Sequence, residues 1–233
     1  MKDPRFKRGD AGYTVPGDSG GGGERHTMLF LNRTRRLLCD DRGRFFHPER
    51  RRWLAGGYAV SGDPVEPAEA VSWLQRYSGR PCRVPVGVIG ARAAGARQME
   101  TAEAVGAGLA ALGLTVLCGG KLGVMEAVCR GAAKAGGLTV GLLPDDDWRE
   151  ANSYVQVPIA TGIGVARNAV IARAALALVA IGGGTGTLSE IAFGLQFGRP
   201  VFGLEGAPRV EGVVMLDDWP SLKTPLCRKV LAL

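Results

Sequence analysis

The chain has 233 residues and a formal net charge of +7, with 46% hydrophobic and 22% charged residues, 36 glycines, five cysteines and two histidines. At ~150 residues per domain it holds one α/β domain with a small appendage, and the composition excludes a wholly disordered chain. No apolar run approaches the ~18 residues of a membrane span. Both histidines, His26 and His47, precede residue 48, so the rest of the chain has no Ser-His-Asp triad, H-E-x-x-H zinc site or histidine base.

The opening MKDPRFKRGD has no apolar h-region, and no secretory signal is expected. Cys39, Cys82, Cys118, Cys129 and Cys227 form no C-x-x-C pair and read as reduced thiols, which predicts a cytoplasmic protein. Charge is uneven: residues 1–83 hold 16 Lys/Arg against 10 Asp/Glu, and residues 84–233 hold 13 against 12.

Residues 1–24 end in a glycine run and read as a flexible tail. Residues 25–82 read as a small, basic, β-rich unit. Strands are expected at 28–32, 35–39 and 44–47, the last two joined by the turn Asp40-Asp-Arg-Gly43, with a further short strand at 58–60. A helix is expected over 67–77, with Pro67 in its first turn. So thin a core must lean on the main domain or on a partner subunit. From residue 83 to 233 apolar strands alternate with helices. Strands are expected at 84–90, 114–118, 138–143, 155–160, 176–181, 200–204 and 213–216. Helices are expected at 97–112, 123–135, 165–175 and 187–197. Continuously apolar strands between helices predict an α/β, Rossmann-like parallel sheet covered on both faces. Gly106 and Gly108 lie inside a helix and are expected to serve packing.

Three segments at strand ends carry the chemistry. In Cys118-Gly-Gly-Lys-Leu-Gly-Val-Met-Glu126, Gly119, Gly120 and Gly123 let a ligand approach the main chain, and Lys121 is suited to a phosphate. In Ile181-Gly-Gly-Gly-Thr-Gly-Thr-Leu-Ser-Glu190, loop amides, the Thr185 and Thr187 hydroxyls and a helix dipole suit a phosphate. Thr187 and Glu190 also fit a capping box, the plain structural explanation of that glutamate. In Thr161-Gly-Ile-Gly-Val-Ala-Arg-Asn168, Arg167 opens a helix, where a cation is unfavourable unless it serves an anion. There is no P-loop, and the first strand lacks a dinucleotide fingerprint.

Together, in order and spacing, these segments resemble the LOG-like family of Rossmann-type proteins over about 85–205. The family pattern G-G-G-x-x-G-L-M-G is similar to Cys118–Glu126, and P-G-G-x-G-T-x-x-E aligns with Gly182–Glu190. The Arg-Lys pair of the enzymes appears as Arg167-Asn168, and Ser189 replaces the first Glu of their Glu-Glu pair. G-V-M-E-A with A-R-N more closely resembles the branch that includes molybdenum-cofactor carrier proteins.

The resemblance implies hydrolysis of the N-glycosidic bond of a nucleoside 5′-monophosphate, with no cofactor required. Arg167 and Glu190 would be its catalytic residues. Gly119, Gly120, Gly123, Met125, Asn168, Gly183, Gly184, Thr185, Gly186 and Thr187 would hold the nucleotide. The alternative is a non-catalytic carrier of molybdenum cofactor or a nucleotide on the same loops. No metal ligands are expected in the chain. The resemblance also implies a homodimer, for which the sequence offers Ala/Gly-rich helices that could pack closely. The basic N-terminal unit, with Arg33, Arg35, Arg36, Arg50, Arg51 and Arg52, keeps nucleic-acid binding open as a third, weaker reading. Lysine decarboxylation is not expected.

Overall fold

The computed structural model describes residues 27–56, 60–81 and 84–233. The expected tail at 1–24 and most of the strand expected at 58–60 lie outside them.

The first sheet is antiparallel. Its strands are β1 (Leu29–Asn32), β2 (Leu37–Asp40), β3 (Arg44–His47), β4 (Arg52–Ala55) and β5 (Asp63–Val65), in the order β4-β3-β2-β1-β5. β2 starts two residues later than expected because Arg35 and Arg36 form the turn. The Asn32 side chain accepts the Arg35 amide at 2.9 Å, and Arg36 takes a left-handed φ of 52°. The next turn is organised by Asp40, whose buried carboxylate accepts the amides of Arg42 and Arg44 at 3.1 and 2.8 Å and Nε of Arg44 at 2.6 Å. Pro64, lacking an N–H, sits on the edge strand β5, where such a residue is tolerated. Helix α1 (Pro67–Arg76) follows and buries Ala70, Val71 and Leu74.

The second sheet has seven parallel strands: β6 (Val86–Gly90), β7 (Val116–Cys118), β8 (Thr139–Leu143), β9 (Val157–Ala160), β10 (Leu178–Ile181), β11 (Val201–Leu204) and β12 (Val213–Met215). Their order is β12-β11-β10-β6-β7-β8-β9. Helices α2 (Ala96–Ala111), α3 (Val124–Lys134), α4 (Arg167–Ala174) and α5 (Thr185–Gln196) connect them. Most strands begin a residue or two inside the apolar run, because residues such as Leu114 and Leu176 are buried just before the ladder starts.

α2 and α3 lie so close that a Cβ on Gly106 would stand 2.1 Å from the Val128 carbonyl oxygen, and one on Gly131 2.0 Å from that of Glu103. At Gly106 and Gly131 the small residues of these two helices serve packing within the chain.

A last helix, α6 (Trp219–Val230), escaped sequence reasoning. Pro220 and Pro225 hide it, since an interior proline removes a helical hydrogen bond. Asp218 caps it, accepting the Ser221 amide at 2.9 Å while the Ser221 hydroxyl accepts the Asp218 amide at 3.1 Å. Its other end is finished by the antiparallel sheet: Trp53 Nε1 donates to the Leu231 carbonyl at 2.8 Å and Arg51 to that of Val230 at 3.3 Å. Arg76 of α1 likewise reaches the Ala110 carbonyl at the end of α2, at 2.9 Å. The thin N-terminal sheet leans on the parallel-sheet part through carbonyls that helix ends leave open. Leu31, Leu38, Phe46 and Leu74 share one apolar core with Val86, Leu109 and Leu226. Among the described residues no helix is long and apolar enough to cross a membrane.

Candidate functional site

The chain runs from β6 outward through β7, β8 and β9, then returns to place β10 on the other side of β6. Gly90 pairs with Ile181 at the ends of these two strands. This reversal opens a crevice at the carboxyl ends of the strands, the place where open α/β sheets bind ligands. A cleft of about 310 Å³ lies there, lined by Gly90 at the end of β6 with Ala91 and Arg92 after it, Gly119 and Lys121 of the β7–α3 loop, Met125 at the start of α3, and Pro144 after β8. Val165, Arg167 and Asn168 of the α4 start and Gly184, Gly186, Thr187 and Glu190 of α5 complete it. A larger cavity of about 840 Å³ lies between the antiparallel sheet and α6, and none of the glycine loops reaches it.

Of the residues expected to form the site, Gly119, Met125, Arg167, Asn168, Gly184, Gly186, Thr187 and Glu190 are brought together. Gly120, Gly123, Gly183 and Thr185 do not line the cleft. Gly123 takes a left-handed φ of 72°, and a Cβ there would stand 2.2 Å from the Arg92 carbonyl oxygen. Gly183, at φ 115°, would meet the Thr187 hydroxyl at 2.3 Å. Both shape the loops. Thr185 is exposed at the first position of α5.

The capping-box explanation of Glu190 does not hold. α5 begins at Thr185 with Gly184 before it, so Thr187 is already inside the helix and Glu190 lies one turn further on. Gly184 has no side chain to cap that end, and the first amides of α5 face the cleft end of the sheet without a side-chain partner. Glu190 is buried and accepts a hydrogen bond from Arg167 Nη1 at 3.1 Å. Burial pushes its carboxyl up to about 7, against the pull of the Arg167 guanidinium.

Arg167 is itself buried. Nη1 also donates to the Asn168 side-chain oxygen, and Nη2 lies over Gly119, where a Cβ would come within 2.2 Å. Its Nε is buried and has no hydrogen-bond partner among the described residues. The Asn168 amide donates to the Ser189 hydroxyl at 3.0 Å, which in turn donates to the Gly186 carbonyl at 2.7 Å.

Lys121 is not free for a phosphate. It pairs with Asp145 at 2.7 Å and Glu150 at 3.3 Å, fastening the loop after β8 to the first glycine loop. Its ammonium holds the Asp145 carboxyl below the usual range. Beneath that loop the buried thiols of Cys118 and Cys129 stand 3.5 Å apart. Their contact, with burial, holds the Cys129 thiol above its ordinary range. Sequence reasoning missed Arg92, although its place two residues beyond the first parallel strand was a usable signal. Among the described residues no group of three or more His, Cys, Asp or Glu could hold a metal ion.

Comparison with known proteins agrees with this architecture. An uncharacterised protein of Archaeoglobus fulgidus is 40% identical over 132 residues, 57% of this chain and 87% of that protein. The molybdenum cofactor carrier protein of Chlamydomonas reinhardtii is similar in structure at a TM-score of 0.59 and 33% identity, over 65% of this chain and 100% of that one. The molybdenum cofactor binding protein of Rippkaea orientalis matches at a TM-score of 0.59 and 30% identity, over 62% of this chain and 96% of that one. The SLOG cluster4 family pattern covers residues 83–222, which include every strand of the parallel sheet, both glycine loops and the Arg167–Glu190 pair, and the chain belongs to that family.

Proposed function

We propose that the chain binds a small phosphorylated ligand in the β6/β10 cleft and holds it intact, as a carrier of a phosphorylated pterin of the molybdenum-cofactor type or of a nucleotide. One observation carries this reading over hydrolysis. The two positions at which the chain departs from the hydrolase pattern, Asn168 and Ser189, touch each other at 3.0 Å. A lysine and a glutamate there would make an ion pair beside the ligand; this chain has a neutral hydrogen bond. The likeness to molybdenum cofactor carriers, which this chain spans almost end to end, supports the same reading.

In this reading the amides at the start of α5, around Gly184, Gly186 and Thr187, receive the phosphate, with Thr185 at the mouth and Gly183 shaping the turn. Gly119 and Met125 form the opposite wall, with Gly120 and Gly123 shaping the loop behind them. Arg167 lines the cleft beside Gly119, and Asn168 contributes neutral hydrogen bonds. The donors lining the cleft suit the phosphate end of such a cargo.

Hydrolysis is the second reading, favoured by Glu190. A buried carboxyl with a pKa near 7 can exchange a proton at neutral pH, and an oxocarbenium-like transition state needs such a carboxylate nearby. One experiment separates the two. Protein purified from cells is oxidised and examined for a fluorescent pterin. In parallel, AMP, GMP, IMP, CMP and UMP are incubated with wild type and Glu190→Gln, and free base is followed by HPLC. The expected result is retained pterin or bound nucleotide without base release. Base released by wild type and not by Glu190→Gln would establish the hydrolase and overturn the carrier reading.

A further inference from the structure

We infer that Arg92 is the second phosphate-binding residue of the cleft, closing on a terminal phosphomonoester seated at the start of α5. The inference rests on the reading of the cleft as a phosphorylated-ligand site and adds the residue and the phosphate class.

The backbone at this point is held from both sides. The Ala91 amide donates to the Ile181 carbonyl at 3.4 Å, and the Ala91 carbonyl accepts the Val124 amide at 3.0 Å. The missing side chain of Gly123 leaves room for the Arg92 carbonyl. The backbone of Arg92 is thereby held on the lip between the two glycine loops, at the end of the strand where the sheet reverses.

The charges of the cleft then distinguish its three cations. Lys121 is committed to Asp145 and Glu150. Arg167 is paired with Glu190. Arg92 is exposed and makes no hydrogen bond or ion pair among the described residues; Asp145 feels it only through space, its own hydrogen bond going to Lys121.

The positive centres of the cleft with no carboxylate partner are therefore Arg92 and the start of α5, whose amides lack a side-chain cap. Arg167 lines the same cleft, and its buried Nε is left without a hydrogen-bond partner among the described residues. A helix N-terminus carries roughly half a charge and a guanidinium a full one. Together, at about +1.5, they match the charge of about −1.5 to −2 that a phosphomonoester carries at neutral pH better than the single charge of a diester. The planar guanidinium suits two phosphate oxygens at once. A volume of about 310 Å³ stands at the bottom of the ~300–1,000 Å³ range of ligand pockets, which favours a mononucleotide-sized ligand over a dinucleotide.

The test is calorimetric titration of wild type, Arg92→Ala and Arg92→Lys with inorganic phosphate, AMP and adenosine, with a melting curve for each variant. Arg92 is exposed, so melting should not change. Arg92→Ala is expected to weaken phosphate and AMP at least tenfold and to leave adenosine within twofold, with partial recovery in Arg92→Lys. Phosphate and AMP binding within twofold of wild type in Arg92→Ala would overturn the inference, as would an equal loss for adenosine. Wild type that binds phosphate but not AMP would remove the nucleotide form of the functional reading while the phosphate titrations still decide Arg92. Wild type that binds neither probe would overturn both.

Discussion

Glu190 sits where burial and a paired arginine oppose each other, and burial wins. Its folded pKa of about 7 lies above the ~4.3 of an unfolded glutamate, so between those values the folded chain binds more protons than the unfolded one. Stability from this group is present at low pH and is lost as pH rises from about 4.5 to about 7. Urea unfolding at pH 5 and pH 8 should show wild type losing stability relative to Glu190→Gln, which keeps the neutral shape and cannot titrate. Equal pH dependence in both would rule out the shift. Asn168 and Ser189 offer a second test. Asn168→Lys alone sets a cation beside Arg167 with only a hydroxyl opposite. An unpaired buried charge costs about 3 kcal/mol or more, and partly exposed geometry reduces that. Adding Ser189→Glu should recover most of the loss. A double-mutant cycle with no coupling would show that the two positions act independently.

At the scale of elements, the packing of α2 on α3 is set by glycines with no room for a side chain. Gly131→Ala would place a methyl group 2.0 Å from the Glu103 carbonyl oxygen, a backbone atom that cannot swing away. Overpacking of this kind costs about 1–3 kcal/mol, so denaturation should show a loss at the upper end of that range; a neutral variant would mean that the helices slide freely. The parallel sheet was legible because its strands are apolar runs, and those nearest the cleft, β6, β7, β8 and β10, end at glycine or proline. The two glycine loops were legible for the same reason. Elements whose residues are chosen by their neighbours were not. β4 has an exposed arginine and alanine at its ends and β5 holds a proline, so neither shows an alternating pattern. α6 contains two prolines that local rules read as breaks, and only its cap at Asp218 and its fit against Trp53 reveal it. The role of Glu190 turned on a shift of two residues in the start of α5, a boundary that glycine and threonine leave undetermined in the sequence.

Across the whole molecule, the arginine-rich N-terminal sheet uses part of its charge for structure. Arg33 is paired with Asp63 and Glu69, and Arg51 reaches the end of α6, which reduces the surface proposed for nucleic acid; Arg35, Arg36, Arg50 and Arg52 stay exposed. A second copy has a different candidate face. Ile163, Val165, Val170 and Leu188 are exposed apolar residues of α4, α5 and the turn before α4, and Val165, 83% exposed, also lines the cleft. If the chain forms a homodimer there, Val165→Asp should shift size-exclusion elution to the monomer, whereas an unchanged profile would place any interface elsewhere. Stability follows from the shared core. Leu31 and Leu38 of one sheet and Val86 and Leu226 of the other part belong to one apolar cluster, and Trp53 ties the sheets through a single N–H to the end of α6. Neither part can leave without exposing apolar surface of the other, so the described parts should unfold in one transition. Trp53→Phe keeps the ring against Phe46 and removes the hydrogen bond to Leu231, at a cost of about 1 kcal/mol. Near- and far-ultraviolet circular dichroism should both report that loss at the same midpoint. Separate midpoints would mean that the N-terminal sheet melts on its own and that the shared core does not couple the two.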